Sequence, residues 1–225
     1  MLNVEHITTG YGKKQVLTDV SFKVGQGDVV LLTGGNGSGK STVLKTIYGL
    51  LKPWTPEGKI TFEDKDITAL PVSAMIQSGI VYMPQKKNVF DDFTVEENLL
   101  TSAGIYPKPN AKERIKNVFE LLPRLETLRK RTPFHLSGGE RQLLAFGIVL
   151  THSPKLMLLD EPFAGVDVEN TAILVKCLKT LHETGVTFVI VEHRKAVLDA
   201  FGYKEIHLKL GAAKLTHKEI DSVIN

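Results

Sequence analysis

The 225 residues include one cysteine, Cys177, so the chain can form no internal disulfide and fits a reducing compartment. Cys177 lies in a helical pattern beside Leu174 and Leu178, which reads as a buried, inert thiol. No apolar stretch approaches the roughly 20 residues that span a bilayer. The longest, such as LLAFGIVL at 143–150, are far shorter. A charged leader followed by an apolar block is also missing, because Met1 runs directly into LNVEHIT, a strand-like alternation. Nor is there a surplus of one charge. The net +3 is spread along the chain and does not by itself imply nucleic acid or anionic lipid. Repeats and low-complexity tracts are likewise missing. What remains is an ordinary globular composition, 42% hydrophobic and 24% charged, in a chain long enough for a well-buried core.

The first third reads as β-structure: LNVEHIT, VLTDVSFKV, then GDVVLLT, whose continuous VVLL suits a strand buried on both faces. A glycine loop follows, then STVLKTIYGLL as a helix ending near Gly49 and Pro53. GKITFEDKDIT suggests strand and turn, with Glu63 to Asp66 as the polar corner. GIVYMPQ is a short strand stopped by Pro84. From Phe90 to Leu150 the character is helical. There NAKERIKNVFELL predicts a helix with an Asn110–Glu113 capping box and Ile115, Val118, Phe119 and Leu122 on one face. Strand signals return in KLMLLDE and GVTFVIVEH, separated by the helical ENTAILVKCLKTLHE, and residues 203–225 are short and mixed.

Several of these strands end in chemistry. Gly34, Gly39, Lys40 and Ser41 in GGNGSGKST fit G-x-x-x-x-G-K-S between a buried strand and a helix, the context that this phosphate-binding motif requires. Its glycines let backbone N–H groups approach phosphates, and the helix N-terminus adds a favourable dipole. Lys40 would reach the terminal phosphates and the Ser41 hydroxyl would ligate Mg²⁺. In KLMLLDE, Asp160 could hold that metal and Glu161 could orient and deprotonate an attacking water. An acid pair at a strand end is, read alone, a solvated cap, and a lone His or Gln is structural. Yet Gln85, after GIVYMP, and His193, after TFVIVE, also follow apolar strands. Parallel sheets bind ligands beyond such ends.

LSGGERQ at 136–142 presents a second glycine-rich helix start. Ser137 and Glu140 form a capping box, which explains those two residues but not Gly138 and Gly139. Glycine in a first turn costs up to about 1 kcal/mol unless something must come close to the backbone.

The order GGNGSGKST, YMPQ, LSGGERQ, LMLLDEP, AGVD and VEH resembles the nucleotide-binding subunit of ABC transporters over essentially the whole chain. The resemblance implies an α/β fold: a P-loop NTPase core with a mainly parallel central sheet, an N-terminal antiparallel β-subdomain and an inserted α-helical subdomain. It implies a single domain over 1–225, with the core in 1–85 and 151–225 and the helical part in about 86–150. It further implies an ATP hydrolase using ATP and Mg²⁺, acting as a head-to-tail homodimer or heterodimer in which each signature closes over the partner's γ-phosphate. Residue by residue, Tyr11 matches the aromatic that stacks on adenine, with Val16 beside it. Gly34, Gly35, Asn36, Gly37, Ser38, Gly39, Lys40, Ser41 and Thr42 match the phosphate loop, and Ser137, Gly138 and Gly139 the signature. Gln85 matches the glutamine that contacts Mg²⁺ or the attacking water, Asp167 the aspartate that communicates across the dimer, and His193 the switch histidine.

Three positions depart from the family pattern. Gly35 stands where proline is common, Arg194 follows the switch histidine where aspartate is frequent, and GYKEIHL lacks an Asp-Arg pair often found there. The expected setting is the cytoplasmic face of a membrane, with transmembrane permease subunits and a substrate-binding protein as partners and no nucleic acid. The style of KKNVFDDFTVEENLL, the compact insert and VEHRKAVLDA is closest to branched-chain amino-acid importers, with lipopolysaccharide exporters near in style. KKNVFDDFTVEENLL is expected near the groove that takes a permease coupling helix. Two rival classes remain. One is a soluble ABC ATPase of translation or DNA repair, although fused cassettes and coiled-coil inserts are missing. The other is a non-hydrolytic nucleotide binder, although Lys40, Asp160, Glu161 and His193 are all present.

Overall fold

A computed structural model describes residues 1–86, 88–105, 110–209 and 212–216. Two sheets organise it. Strands β1 (Leu2–Tyr11), β2 (Lys14–Val24), β4 (Lys59–Phe62) and β5 (Lys65–Asp66) form an antiparallel sheet in the order β2-β1-β4-β5. The turn between β4 and β5 holds Glu63 and Asp64 in the left-handed region, so the polar corner expected there is a tight one.

The second sheet runs β10 (Ala212–Thr216), β9 (Lys204–Lys209), β3 (Val29–Thr33), β8 (Thr187–Val191), β7 (Leu156–Asp160), β6 (Ile80–Met83). All its pairings are parallel except β9 with β10. Every residue of β3, β6, β7 and β8 is buried, as their unbroken apolar runs require. Alternate side chains feed two cores. Leu31, Leu159, Ile190 and Met83 join the helices on one face, while Leu32, Leu158, Val189 and Ile80 join the antiparallel sheet and α1 (Lys40–Ile47) on the other. The fold class implied by the resemblance is the one observed.

A short α2 (Val72–Gln77) precedes β6. Between β6 and β7 the described chain is helical: α3 (Val95–Ile105), α4 (Ala111–Leu121), α5 (Pro123–Thr127) and α6 (Gly138–Leu150). Ile115, Val118 and Leu122 are buried, with Phe119 partly so, giving α4 its expected apolar face. The Asn110–Glu113 capping box does not form. Asn110 is left-handed (φ 64) with no side-chain cap bond, and a side chain reaches the first-turn N–H groups only from extended backbone. The long α7 (Val168–Glu183) links β7 to β8 and buries Cys177, whose thiol is pushed up to about 12 by burial, as an inert core thiol should be. Among the described residues no helix is long and apolar enough to cross a membrane.

Candidate nucleotide site

The phosphate loop is shaped by glycines that could be nothing else. Gly34 (φ 141) and Gly39 (φ 99) occupy left-handed backbone, and a Cβ would stand 2.3 Å from the Leu208 carbonyl oxygen at Gly34 and 2.5 Å from Leu17 Cδ2 at Gly39. Gly39 is the N-cap of α1 and lends no side-chain bond, so the first-turn N–H groups of this helix are left to whatever sits in the loop. Lys40 is buried, its ammonium held at the loop mouth by donating to the carbonyls of Gly34 (2.9 Å) and Gly35 (3.0 Å). Ser38 is buried too, and its hydroxyl has no hydrogen-bond partner among the described residues.

A cleft of about 630 Å³ opens in front of the loop, lined by Asn36, Gly37, Lys40, Ser41, Thr42 and Glu161 together with Tyr11 and Val16. Tyr11 ends β1 and is 45% exposed, so its ring offers a face to a ligand. Its hydroxyl lies 3.4 Å from Thr42 Oγ1, and the Lys45 ammonium sits over the ring, 5.6 Å from its centre. Lys14 and Gln15, which the motif does not mark, line the same cleft, and Lys45 joins the site through the Tyr11 ring.

Beyond the carboxyl ends of the parallel strands the remaining groups converge. Ser41 Oγ donates to Asp160 Oδ1 at 3.0 Å, and the Tyr82 hydroxyl donates to Asp160 Oδ2 at 3.2 Å. Burial raises the Asp160 carboxyl above its ordinary value against both hydroxyl donors, and burial likewise raises the Tyr82 phenol. Glu161 adopts a left-handed φ of 51, a conformation costing of order 1–3 kcal/mol for a non-glycine residue. Its amide is pinned to the Val191 carbonyl at 2.8 Å. Its carboxylate accepts from Gln85 Nε2 at 2.5 Å and lies 3.5 Å from His193 Nε2. Lys40 and His193 also line a smaller cleft of about 300 Å³ with Gly34. Gln85 and His193, brought here to one carboxylate, lie 76 and 32 positions from Glu161 in the chain.

The second glycine cradle lies elsewhere. Ser137 and Gly138 are exposed, and among the described residues lining the phosphate-loop cleft none of Ser137, Gly138, Gly139 or Asp167 appears. The Ser137–Glu140 capping box is present: Glu140 N donates to Ser137 Oγ (3.2 Å), and Ser137 N donates to Glu140 Oε2 (2.9 Å). Gly139 is buried, and a Cβ on it would stand 2.5 Å from Asp167 Oδ2. Asp167 in turn caps α7 by accepting from the backbone and side chain of Asn170. Gly139 thus has a reason within its own chain, the seating of the Asp167 loop, which reading the glycines as a pair did not foresee. Gly138 has no such crowding, its nearest neighbour being the Gly165 carbonyl oxygen at 3.4 Å.

Comparison with known proteins gives the family. Residues 17–164 match the family model described as ABC transporter. The chain is 38% identical over 192 residues, 85% of its own length and 82% of the relative's, to the high-affinity branched-chain amino acid transport ATP-binding protein BraG of Pseudomonas aeruginosa. It is 34% identical over 195 residues, 86% and 80% of the two lengths, to the lipopolysaccharide export system ATP-binding protein LptB of Haemophilus influenzae. The dimeric structure of a post-hydrolysis state of the ATP-binding cassette MJ0796, bound to ADP and Pi, superposes with a TM-score of 0.82 at 26% identity, covering 95% of this chain and 97% of the other. The chain therefore belongs to the ABC transporter family, as one of its ATP-binding, ATP-hydrolysing cassettes.

Proposed function

We propose that the chain powers import of branched-chain amino acids, working as a head-to-tail dimer seated on membrane-spanning permease subunits. The observation that carries the dimer is the separation of its two cradles. The phosphate-loop cleft has no signature residue in its described lining, while Ser137 and Gly138 stand exposed, as does Val168, a valine 84% exposed at the start of α7. Each cradle suits the half that the other lacks. The similarity to a dimeric cassette supports this geometry, and the identity to BraG, above that to LptB, favours amino acid over lipopolysaccharide as cargo.

In this reading Tyr11 and Val16 hold the adenine, and Gly34 to Thr42 wrap the phosphates through backbone N–H groups and the Lys40 ammonium. The Ser41 hydroxyl and Asp160 carboxylate, 3.0 Å apart, form an oxygen pair suited to Mg²⁺, which usually keeps most of its shell from water and substrate phosphates. Mg²⁺, when bound, neutralises charge developing on the phosphate oxygens. Glu161 takes the proton of the attacking water. Gln85 and His193, both against its carboxylate, orient that water between them. Asp167, seated against Gly139, carries the state of the signature toward the neighbouring site.

Replacing Glu161 by Gln tests the whole reading. Phosphate release by the purified variant should fall about 10²- to 10⁴-fold with ATP binding kept, and leucine uptake by cells carrying it should stop. Hydrolysis at the native rate would remove Glu161 from its role. Normal leucine uptake with failing lipopolysaccharide export would replace the cargo.

A further inference from the structure

His193 sits in a loop whose neighbours all spend their side chains on holding it. Glu192 is buried, and its Oε1 accepts from the backbone N–H of His193 (2.7 Å) and of Arg194 (2.9 Å), while Oε2 accepts from Phe163 N (3.3 Å). Arg194 reaches the same segment from its other side: one guanidinium nitrogen donates to the carbonyls of both Phe163 and Val166, each at 3.3 Å. Lys195 donates to both oxygens of Glu205 on β9 at 2.9 Å, and Glu205 accepts from Thr33 at the end of β3. The His193 ring alone is turned to chemistry, 3.5 Å from Glu161.

The segment gripped in this way, 163–166, lies between Glu161 and Asp167. It is anchored at one end by the fully buried Phe163 and at the other by Asp167, whose carboxylate fills the space beside Gly139. From these contacts we infer that Arg194 is a positioning residue, tying His193 to the 163–167 segment so that movement of the signature helix start is delivered to the His193–Glu161 contact. The path runs through single contacts throughout: Gly139 to Asp167, Val166 to Arg194, and Arg194 to His193 through the Glu192 carboxylate that holds both their amides. A guanidinium is suited to the task, because it stays charged and a single one of its nitrogens carries two N–H groups, one for each carbonyl. Arginine where the family often has aspartate would make this tie a property of this chain. The inference rests on the role proposed for His193 and adds the element that places it.

Arg194→Met keeps much of the side chain's bulk and removes its donors, and Arg194→Lys restores a cationic donor group. We expect Arg194→Met to lower kcat about tenfold while KM for ATP changes by less than about twofold, since a 1 Å misplacement of a reacting group costs up to about 100-fold and loosening one tie costs less. The Hill coefficient for ATP should fall toward one, the melting temperature should hold, and Arg194→Lys should recover part of the rate. Amide exchange across 161–167 and at 193–194 should quicken in Arg194→Met. Wild-type kcat with unchanged exchange would overturn the inference. So would a loss of rate matched by a rise in KM and a fall in melting temperature, which is what a merely structural role would give. If the unaltered chain released no phosphate, the proposed function would fail on its own, and the exchange comparison would still decide whether Arg194 fastens the two loops.

Discussion

The two glycine-rich helix starts of this chain look alike in one dimension and are built oppositely in three. At α1 the N-cap is Gly39, with no side-chain cap and no acid in the first turn, and the loop before it bends through left-handed glycines at 34, 37 and 39. Its first-turn N–H groups are kept for a ligand. At α6 the capping box engages the N–H groups of Ser137 and Glu140, and neither glycine has positive φ. Of the four donors at that helix start, the box leaves those of Gly138 and Gly139, and Gly139 is buried under Asp167. The first is a complete cradle. The second is a stable helix start with one exposed glycine edge, suited to touching a phosphate that something else already holds.

Mixed dimers should break the comparison most sharply. A chain with Lys40→Ala and a chain with Gly138→Asp should each be inactive alone, by about 10²-fold or more. Mixed, they form dimers in which one site joins an intact phosphate loop to an intact signature, and phosphate release should reappear. No recovery on mixing, with heterodimers verified by mass, would mean that both cradles serve within one chain.

The two signature glycines can be separated next. A Cβ at Gly139 meets Asp167 Oδ2 at 2.5 Å and Asn170 Nδ2 at 2.7 Å, so Gly139→Ala must displace the cap of α7. Overpacking of about 1–3 kcal/mol, less up to about 1 kcal/mol of regained helix propensity, should lower its melting temperature by a few degrees. At Gly138 the nearest contact, 3.4 Å, is ordinary, so Gly138→Ala should melt at or slightly above the wild-type temperature while losing hydrolysis. Equal melting temperatures for the two variants would show that the Asp167 loop yields freely and that Gly139 is not there to seat it.

The same contrast marks what was legible in the sequence. Strands β3, β7 and β8 announce themselves as VVLL, LMLL and FVIV because burial on both faces leaves no polar position within those runs, and the phosphate loop and acid pair follow at once. Such signals are local. Long-range partners are not: Tyr82 on Asp160 spans 78 positions, Arg194 on Phe163 spans 31, and the reason for Gly139 lies at Asp167. The Asn110 box failed for a related reason. Composition supplied the right residue types, but the backbone dihedral that decides capping is set by how the chain enters α4.

The smallest effect concerns protons. Burial by itself would raise the Glu140 carboxyl, but the Ser137 amide and the Arg124 guanidinium outweigh it and hold the group below its ordinary value. A depressed acid stabilises the folded chain above its unfolded pKa, near 4.5, and that contribution drains away as pH falls through the lower folded value. The α6 start should therefore weaken in acid, whereas α1 has no carboxyl in its first turn to protonate. Glu140→Gln keeps an oxygen for the Ser137 amide but cannot ionise, so its melting temperature should lie below the wild-type value at pH 7 and converge with it below pH 4.5. Parallel curves down to pH 3.5 would mean that the Glu140 charge contributes nothing to the box.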